Sequence, residues 1–221
     1  RQAQDALREI DAYTLHRAYK KPKYRNPIYV YKRRDMVQVD LIDMRNLSKW
    51  NDGVTFLLVL IDCFTKKTFV RALKNKSAQS VLDGIKSIFA EMGDLPRSLQ
   101  CDRGTELVNQ HFKSYMDSLG IKMVNPKGEL KAAIVERVNR SIQDIIYKHM
   151  TFRESRRYID QLQNDILTYN SRGHRHLPLV NRTDGVEGTR FMTPNEADLP
   201  LNEALVSSTH RARFAKLLDS K

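Results

Sequence analysis

The 221-residue sequence has only two cysteines, Cys63 and Cys101, and no C-x-x-C pair. That argues against a zinc finger inside this chain. Both cysteines fall in apolar stretches, so they are expected as reduced core thiols of an intracellular protein. No apolar run approaches the ~20 residues that cross a bilayer, so no membrane partner is expected. There is no signal-peptide pattern, and the chain opens on Arg1 rather than Met; the expectation is a fragment of a longer protein. Internal repeats and low-complexity tracts are missing too. Acid is scarce, with 26 Asp and Glu against 38 Lys and Arg, a formal net charge of +12 and a pI of about 9.7. A chain this basic commonly meets a polyanion, nucleic acid first among them. The plain alternative is a soluble protein that is merely basic. About 41% of residues are hydrophobic, enough for a real core.

Residues 1–18 can form a short helix. YKKPKYRNPIYVYKRR, 19–34, holds seven Lys/Arg, four Tyr, two Pro and no acid. Its prolines oppose a continuous helix. It reads either as an extended arm laid along phosphates, through Lys20, Lys21, Lys23 and Arg25, or as a solvated linker. MVQVDLID (36–43) reads as a strand, and VTFLLVLIDCF (54–64) as a central strand buried on both faces. KTFVRAL (67–73) should pair antiparallel to it. The spacing predicts a helix over 77–93 that ends at Gly93. RSLQC (97–101) reads as a strand, 105–120 as a helix and 121–124 as a strand. Loop 125–131 then leads into another helix. A further helix is predicted over roughly 155–170, followed by mostly loop over 171–195. The tail 201–221 reads as a short helix leading out of the domain. Three early strands, then alternating helix and strand, imply an α/β mixed sheet with helices on both faces.

Three carboxylates stand out. Asp40 interrupts the strand VQVDLID, where a charge is expensive unless paired or metal-bound. Its neighbours Val39 and Leu41 point to the opposite face. Asp102 directly follows the strand SLQC, at the carboxyl end where α/β sheets place their sites. Glu136 lies near the start of a helix. At about 100° per residue, Val135, Val138, Ile142, Ile145 and Ile146 form the buried stripe. Arg140, Gln143 and Tyr147 share the glutamate's side, and Arg137, Asp144 and Lys148 lie further round toward solvent. Three such acids can hold two divalent cations about 3.5–4 Å apart for phosphoryl transfer. Hard oxygen ligands suit Mg²⁺ or Mn²⁺ rather than zinc. Each acid also has a plain reading: Asp102 as an N-cap, Glu136 as an exposed helix residue favoured by the dipole. Asp43, Asp62 and Glu106 remain rival ligands on spacing alone.

VQVDLIDM, LQCDRGTEL and KAAIVERVNRSIQ together resemble the core of the retroviral-type integrase family, the D,D-35-E group. YNSRGHRHL (169–177) and MTPNEA (192–197) look like the motifs that follow that core. Within the family, YTLHRAYKKPKYR, NDGVTFLLVLIDCFTKK and SRRYIDQLQNDILTYNSR look most like integrases of Maverick/Polinton DNA transposons. The resemblance covers roughly residues 35–200. It implies an RNase H-like mixed five-stranded sheet, with 1–34 as a basic extension and 201–221 as a tail or linker. It implies Asp40, Asp102 and Glu136 as catalytic and metal-binding acids, with two Mg²⁺ or Mn²⁺ ions per site. Asn139 and Arg140 match the polar positions that approach DNA; Gln143 falls where many retroviral members carry a lysine. Lys127 and Lys131 lie in the loop expected to move over the site. Double-stranded DNA, both element ends and target, is the implied partner. A homo-oligomer, dimer or tetramer, is implied because integrases act on two DNA ends together, and a nuclear location is expected. Two features depart from the family pattern. Asp102 and Glu136 are 34 apart, leaving 33 residues between them. LPLVNRTDGVEGTRF (177–191) is also longer than the usual link between the late motifs.

The implied reaction is 3′-end processing followed by strand transfer. One rival is an RNase H-like nuclease that cleaves without joining. Another, from a different class, is a domesticated and catalytically silent DNA-binding module; the intact triad speaks against it. The family's zinc-binding amino-terminal domain and carboxy-terminal β-barrel are not expected within these 221 residues; the resemblance leaves room for both outside the fragment.

Overall fold

Strand β1 (Val37–Asp43) sorts its residues by parity, as the pleat requires. Val37 and Val39 enter one apolar cluster, while Ile42 enters another on the opposite face. The computed structural model describes residues 28–101, 109–124 and 132–219. Strand β2 (Phe56–Asp62) pairs antiparallel to β1, and β3 (Thr68–Leu73) antiparallel to β2. Leu58 and Leu60 of β2 face the first cluster and Leu57, Val59 and Ile61 the second. This is why its apolar run is unbroken: both faces are covered.

The chain then crosses over. Helix α1 (Ala78–Met92) begins where the Ser77 hydroxyl accepts from the Ser80 N–H and ends at Gly93, φ 75°. The left-handed conformation at that end is what glycine accommodates at no steric cost. Its apolar stripe, Val81, Ile85, Ile88, Phe89 and Met92, packs on the first sheet face. At Gly84 a Cβ would come within 2.7 Å of Leu58 Cδ2, so α1 lies very close to the sheet there. Strand β4 (Ser98–Cys101) returns parallel to β1. Helix α2 (Gln110–Ser118), capped by the Asn109 side chain, adds Phe112 and Met116 to the same face. Strand β5 (Lys122–Val124) pairs parallel to β4, giving the order β3-β2-β1-β4-β5.

Helix α3 (Ala133–Phe152) and helix α4 (Leu162–Asn170) cover the second face. The mixed five-stranded sheet with helices on both faces is thus the expected one. α4 starts later than its apolar spacing suggests. The Asn51 side chain accepts from the Tyr158 and Ile159 N–H groups at 2.7 and 3.1 Å and donates to the Leu47 and Arg156 carbonyls. Those bonds hold 156–159 in a turn rather than a helix. Residues 171–195 are not all loop either. Strands β6 (Leu179–Asn181) and β7 (Thr189–Phe191) make a small antiparallel hairpin that takes up the long link between the late motifs.

Helix α5 (Pro194–Ala197) opens with a Thr193/Glu196 capping box, and helix α6 (Glu203–Asp219) follows. Its Val206 is fully buried with Val30, Cys63, Phe64, Leu177, Met192 and Ala197 in a third cluster. The tail helix is therefore packed on the fold at its start. Residues 28–34 are anchored as well. Arg34 pairs with Asp62 at 2.9 Å and with Asp198 at 2.9 Å, and Arg33 pairs with Asp94. These two arginines of the basic stretch hold the fold together, which neither the arm nor the linker reading anticipates. Both cysteines are buried, and burial pushes the Cys63 thiol up to about 12.

Candidate active site

Asp40 lies in β1 on the side that faces α3, between Gln38 and Ile42. Asn139 of α3 donates through Nδ2 to Asp40 Oδ2 at 2.7 Å. The reverse orientation of the amide would set two acceptors against each other. Asn139 is buried, 9% exposed, and its Oδ1 has no hydrogen-bond partner among the described residues. Glu136, in the first turn of α3, is half-buried and precedes Asn139 by three residues. Side chains three apart on a helix are neighbours, so the asparagine that grips Asp40 also fixes where the glutamate's turn stands.

A second device sets the start of α3. Its N-cap, Ala132, has no capping side chain. The side-chain Oε1 of Gln38, a fully buried residue, accepts instead from the Ile134 and Val135 N–H groups at 3.1 and 3.0 Å. The Gln38 Nε2 donates to Gln100 Oε1 at 2.9 Å. One side chain thereby ties together β1, β4 and the first turn of α3. Gln38 stands two residues before Asp40, on the same face of β1 by the period-two rule, and Gln100 stands two before Asp102 in the sequence. Sequence reasoning missed both glutamines; a polar residue two before each acid, in an otherwise apolar strand, was the available signal.

Val39 is the register partner of Cys101, the last residue of β4. Asp102 is next in the chain and lies outside the described residues, as do Lys127, Lys131, Lys20, Lys21, Lys23, Arg25 and the rival acid Glu106. Among the described residues no three His, Cys, Asp or Glu side chains gather as a metal site. Two rivals are otherwise engaged. Asp62 is fully buried, with its carboxylate taken by the Arg34 guanidinium and by the Arg34, Phe64 and Thr65 N–H groups. Asp43 pairs with Arg45, which holds its carboxyl below the usual range.

The helical wheel is borne out on the polar side as well. Arg140 and Tyr147 are exposed and Gln143 half-exposed, while Val135, Val138, Ile142 and Ile146 are buried. Ile145 is only partly covered. Asn139, which the resemblance matches to a polar position that approaches DNA, turns its side chain inward to Asp40.

The strand order, the parallel β1–β4 pair and the two helical layers define an RNase H-like α/β core, the fold of integrase catalytic cores. Residues 31–126 match the integrase core domain family, a span that stops before α3. An uncharacterised transposon-derived protein of Caenorhabditis elegans is 37% identical over 155 residues, covering 70% of this chain and 54% of that protein. The chain thus spans about half the length of this relative. Among solved structures, the HTLV-2 integrase catalytic core domain in complex with magnesium matches with a TM-score of 0.56 at 17% identity, over 76% of this chain and 97% of that one. The simian T-cell lymphotropic virus intasome in complex with PP2A regulatory subunit B56 gamma matches at 0.59 and 18%, over 89% and 66%. Among the described residues no helix is long and apolar enough to cross a membrane.

Proposed function

We propose that this chain is the catalytic core of a transposon integrase, of the Maverick/Polinton type, acting on double-stranded DNA in the nucleus as a homo-oligomer. The observation that carries the reading is the Asn139–Asp40 bond, which locks the first turn of α3, with Glu136, to the acid of the central strand. The parallel pairing of β1 with β4 brings the chain to Cys101, one residue before Asp102. The donor set is all hard oxygen, and the buried, unpartnered Oδ1 of Asn139 offers an acceptor to a water beside Asp40. Both fit Mg²⁺ or Mn²⁺. Asp40 would hold both ions, Asp102 one and Glu136 the other. Two such ions, when bound, activate the attacking oxygen and stabilise the leaving one.

The chain's own residues supply position. Asn139 and Gln38 hold the acids' elements in register, so little reorganisation is left for the reaction. Arg140 and Gln143 face outward on the same stripe, where a backbone can lie. Water attacks first and frees a 3′-end. That 3′-hydroxyl then attacks a target phosphodiester; a new P–O bond forms as the old one breaks, and the target strand's 3′-oxygen leaves.

A joining assay with pre-processed element ends and Mg²⁺ or Mn²⁺ tests this. Strand-transfer products are expected, lost in Asp40→Asn, Asp102→Asn and Glu136→Gln with thermal stability retained. Each ligand supplies several kcal/mol of barrier lowering, and about 1.4 kcal/mol is tenfold in rate. Cleavage without joining would indicate a nuclease, and neither activity a silent DNA-binding module.

A further inference from the structure

Away from the acids, positive charge gathers where several segments meet. Lys66 lies in the β2–β3 turn with φ 64°, a left-handed position that a long side chain seldom takes. Its ammonium donates to the Cys63 carbonyl and to no other acceptor among the described residues. Loop 171–178 brings His174 and His176, their rings 5.5 Å apart. Helix α6 brings His210, whose ring packs on Phe64 at 5.0 Å, and Arg213, whose Nη1 donates to the Arg175 carbonyl at 2.7 Å. Arg137, next to Glu136 on α3, acts on His176 by its charge. The three histidines are half-buried, and Arg137, Arg175 and Arg213 are exposed.

Among the described residues, Lys66, Arg137, Arg175 and Arg213 form no ion pair. Asp62 is the acid whose field reaches Lys66, and its oxygens are filled by Arg34 and the turn's own N–H groups. A desolvated ammonium with two unused donors and cationic neighbours is costly unless an anion completes it. His174 also has a donor to offer: its Nδ1 accepts from the His176 N–H at 3.2 Å, which leaves the proton of the neutral ring on Nε2.

We propose that Lys66, His174, His176, His210 and Arg213 form a phosphate pocket for the backbone of duplex DNA, separate from the metal-binding acids. The pocket rests on the DNA-acting reading above. Arg137 joins it to the turn of Glu136, so a duplex seated here runs toward the acids. Lys66 supplies two N–H donors and the full charge, His174 supplies Nε2–H, and Arg213 closes the outer side.

Two consequences are measurable in the 221-residue chain without divalent metal. Binding of a 20-bp duplex of arbitrary sequence is followed by anisotropy across a salt series. Lys66→Met and Arg213→Ala should each weaken binding several-fold and lower the slope of log K against log salt by ~0.9, the share of one phosphate contact. Lys66→Met should unfold no earlier than wild type, because it removes a half-buried, desolvated charge that no carboxylate among the described residues pairs with. Arg213→Ala is exposed and keeps the test open if Lys66→Met misfolds. A phosphate beside the histidines favours their charged form, with Lys66, Arg137, Arg175 and Arg213 opposing it and Asp62 assisting. Binding therefore takes up protons, and affinity should rise as pH falls from 8 to 6, less so in His176→Gln. Unchanged affinity and slope in both cation variants, with wild type binding, would overturn the pocket alone. A pH response identical in wild type and His176→Gln would remove the histidine from it. A wild-type chain that binds no duplex would sink the pocket and the integrase reading together.

Discussion

Asn139 donates to Asp40 at 2.7 Å across 99 residues of sequence, and the pair joins α3 to the central strand at the acid-bearing face. Asn139→Ala removes the donor. Hydrogen bonds to charged groups contribute about 1.5–3 kcal/mol, so joining should fall by roughly tenfold or more. Asn139→Asp places a second carboxylate against Asp40. Like charges raise one carboxyl's pKa, so in metal-free protein the stability deficit relative to wild type should shrink as pH falls through that raised value. Urea unfolding at pH 8 and pH 5 checks it; a deficit independent of pH would mean the two side chains do not face each other.

Gln38 replaces the missing cap of α3. Gln38→Leu orphans the Ile134 and Val135 N–H groups. Each unsatisfied buried donor costs about 1–3 kcal/mol. Gln100→Leu breaks only the bond between the two glutamines and should cost less. Joining should drop in both, because the turn that carries Glu136 loosens. Equal stability losses in the two variants would show that the capping bonds carry little.

The Arg34–Asp62 pair is buried, Arg34 at 5% exposure and Asp62 at 0%. Arg34→Met leaves Asp62 buried without its countercharge, which typically costs about 3–5 kcal/mol. The denaturation midpoint should fall with an unchanged m-value. A loss below about 1 kcal/mol, the range of a surface pair, would mean that water reaches Asp62.

Burial, followed by Lys66 or Arg213, holds His174, His176 and His210 down to about 4, from an ordinary 6.5. The unfolded chain then binds more protons than the folded one between those values. By linkage, stability should fall as pH drops from about 6.5 toward 4. His174→Gln with His210→Gln should flatten that slope in calorimetric scans. A profile as steep as wild type would place the proton uptake elsewhere.

The strands and the first helix were legible because their signals are local. FLLVLID is an unbroken apolar run and β2 is buried accordingly, whereas VQVDLID alternates and yet Gln38 is as buried as Val37 and Val39, because β1 too is covered on both faces. Ser77 and Gly93 mark the ends of α1 in the sequence as they do in space. Asp40 could be singled out because a charge inside an apolar strand demands a partner. The partner could not be read, because Asn139 stands 99 positions away and the resemblance matches it only to a polar position that approaches DNA. The late start of α4 and the β6–β7 hairpin were missed for a related reason: short exposed strands have weak patterns, and apolar spacing over 155–161 says nothing of Asn51.

By itself, then, the sequence determined the alternation that builds the sheet, the stripes that cover its two faces, the acids on β1 and α3, and the excess of positive charge. Each follows from periodicity or composition, which act within a few residues. Tertiary structure alone decided what holds the acids in place and where the unbalanced charge collects. Gln38 reaches Val135 across 97 residues, Asn51 reaches Tyr158 across 107, and Lys66 meets histidines more than a hundred positions away. Such bonds form because folding strips water from these groups and leaves the nearest buried polar atom as the substitute. Which atom is nearest depends on how the layers stack, and local pattern does not encode that.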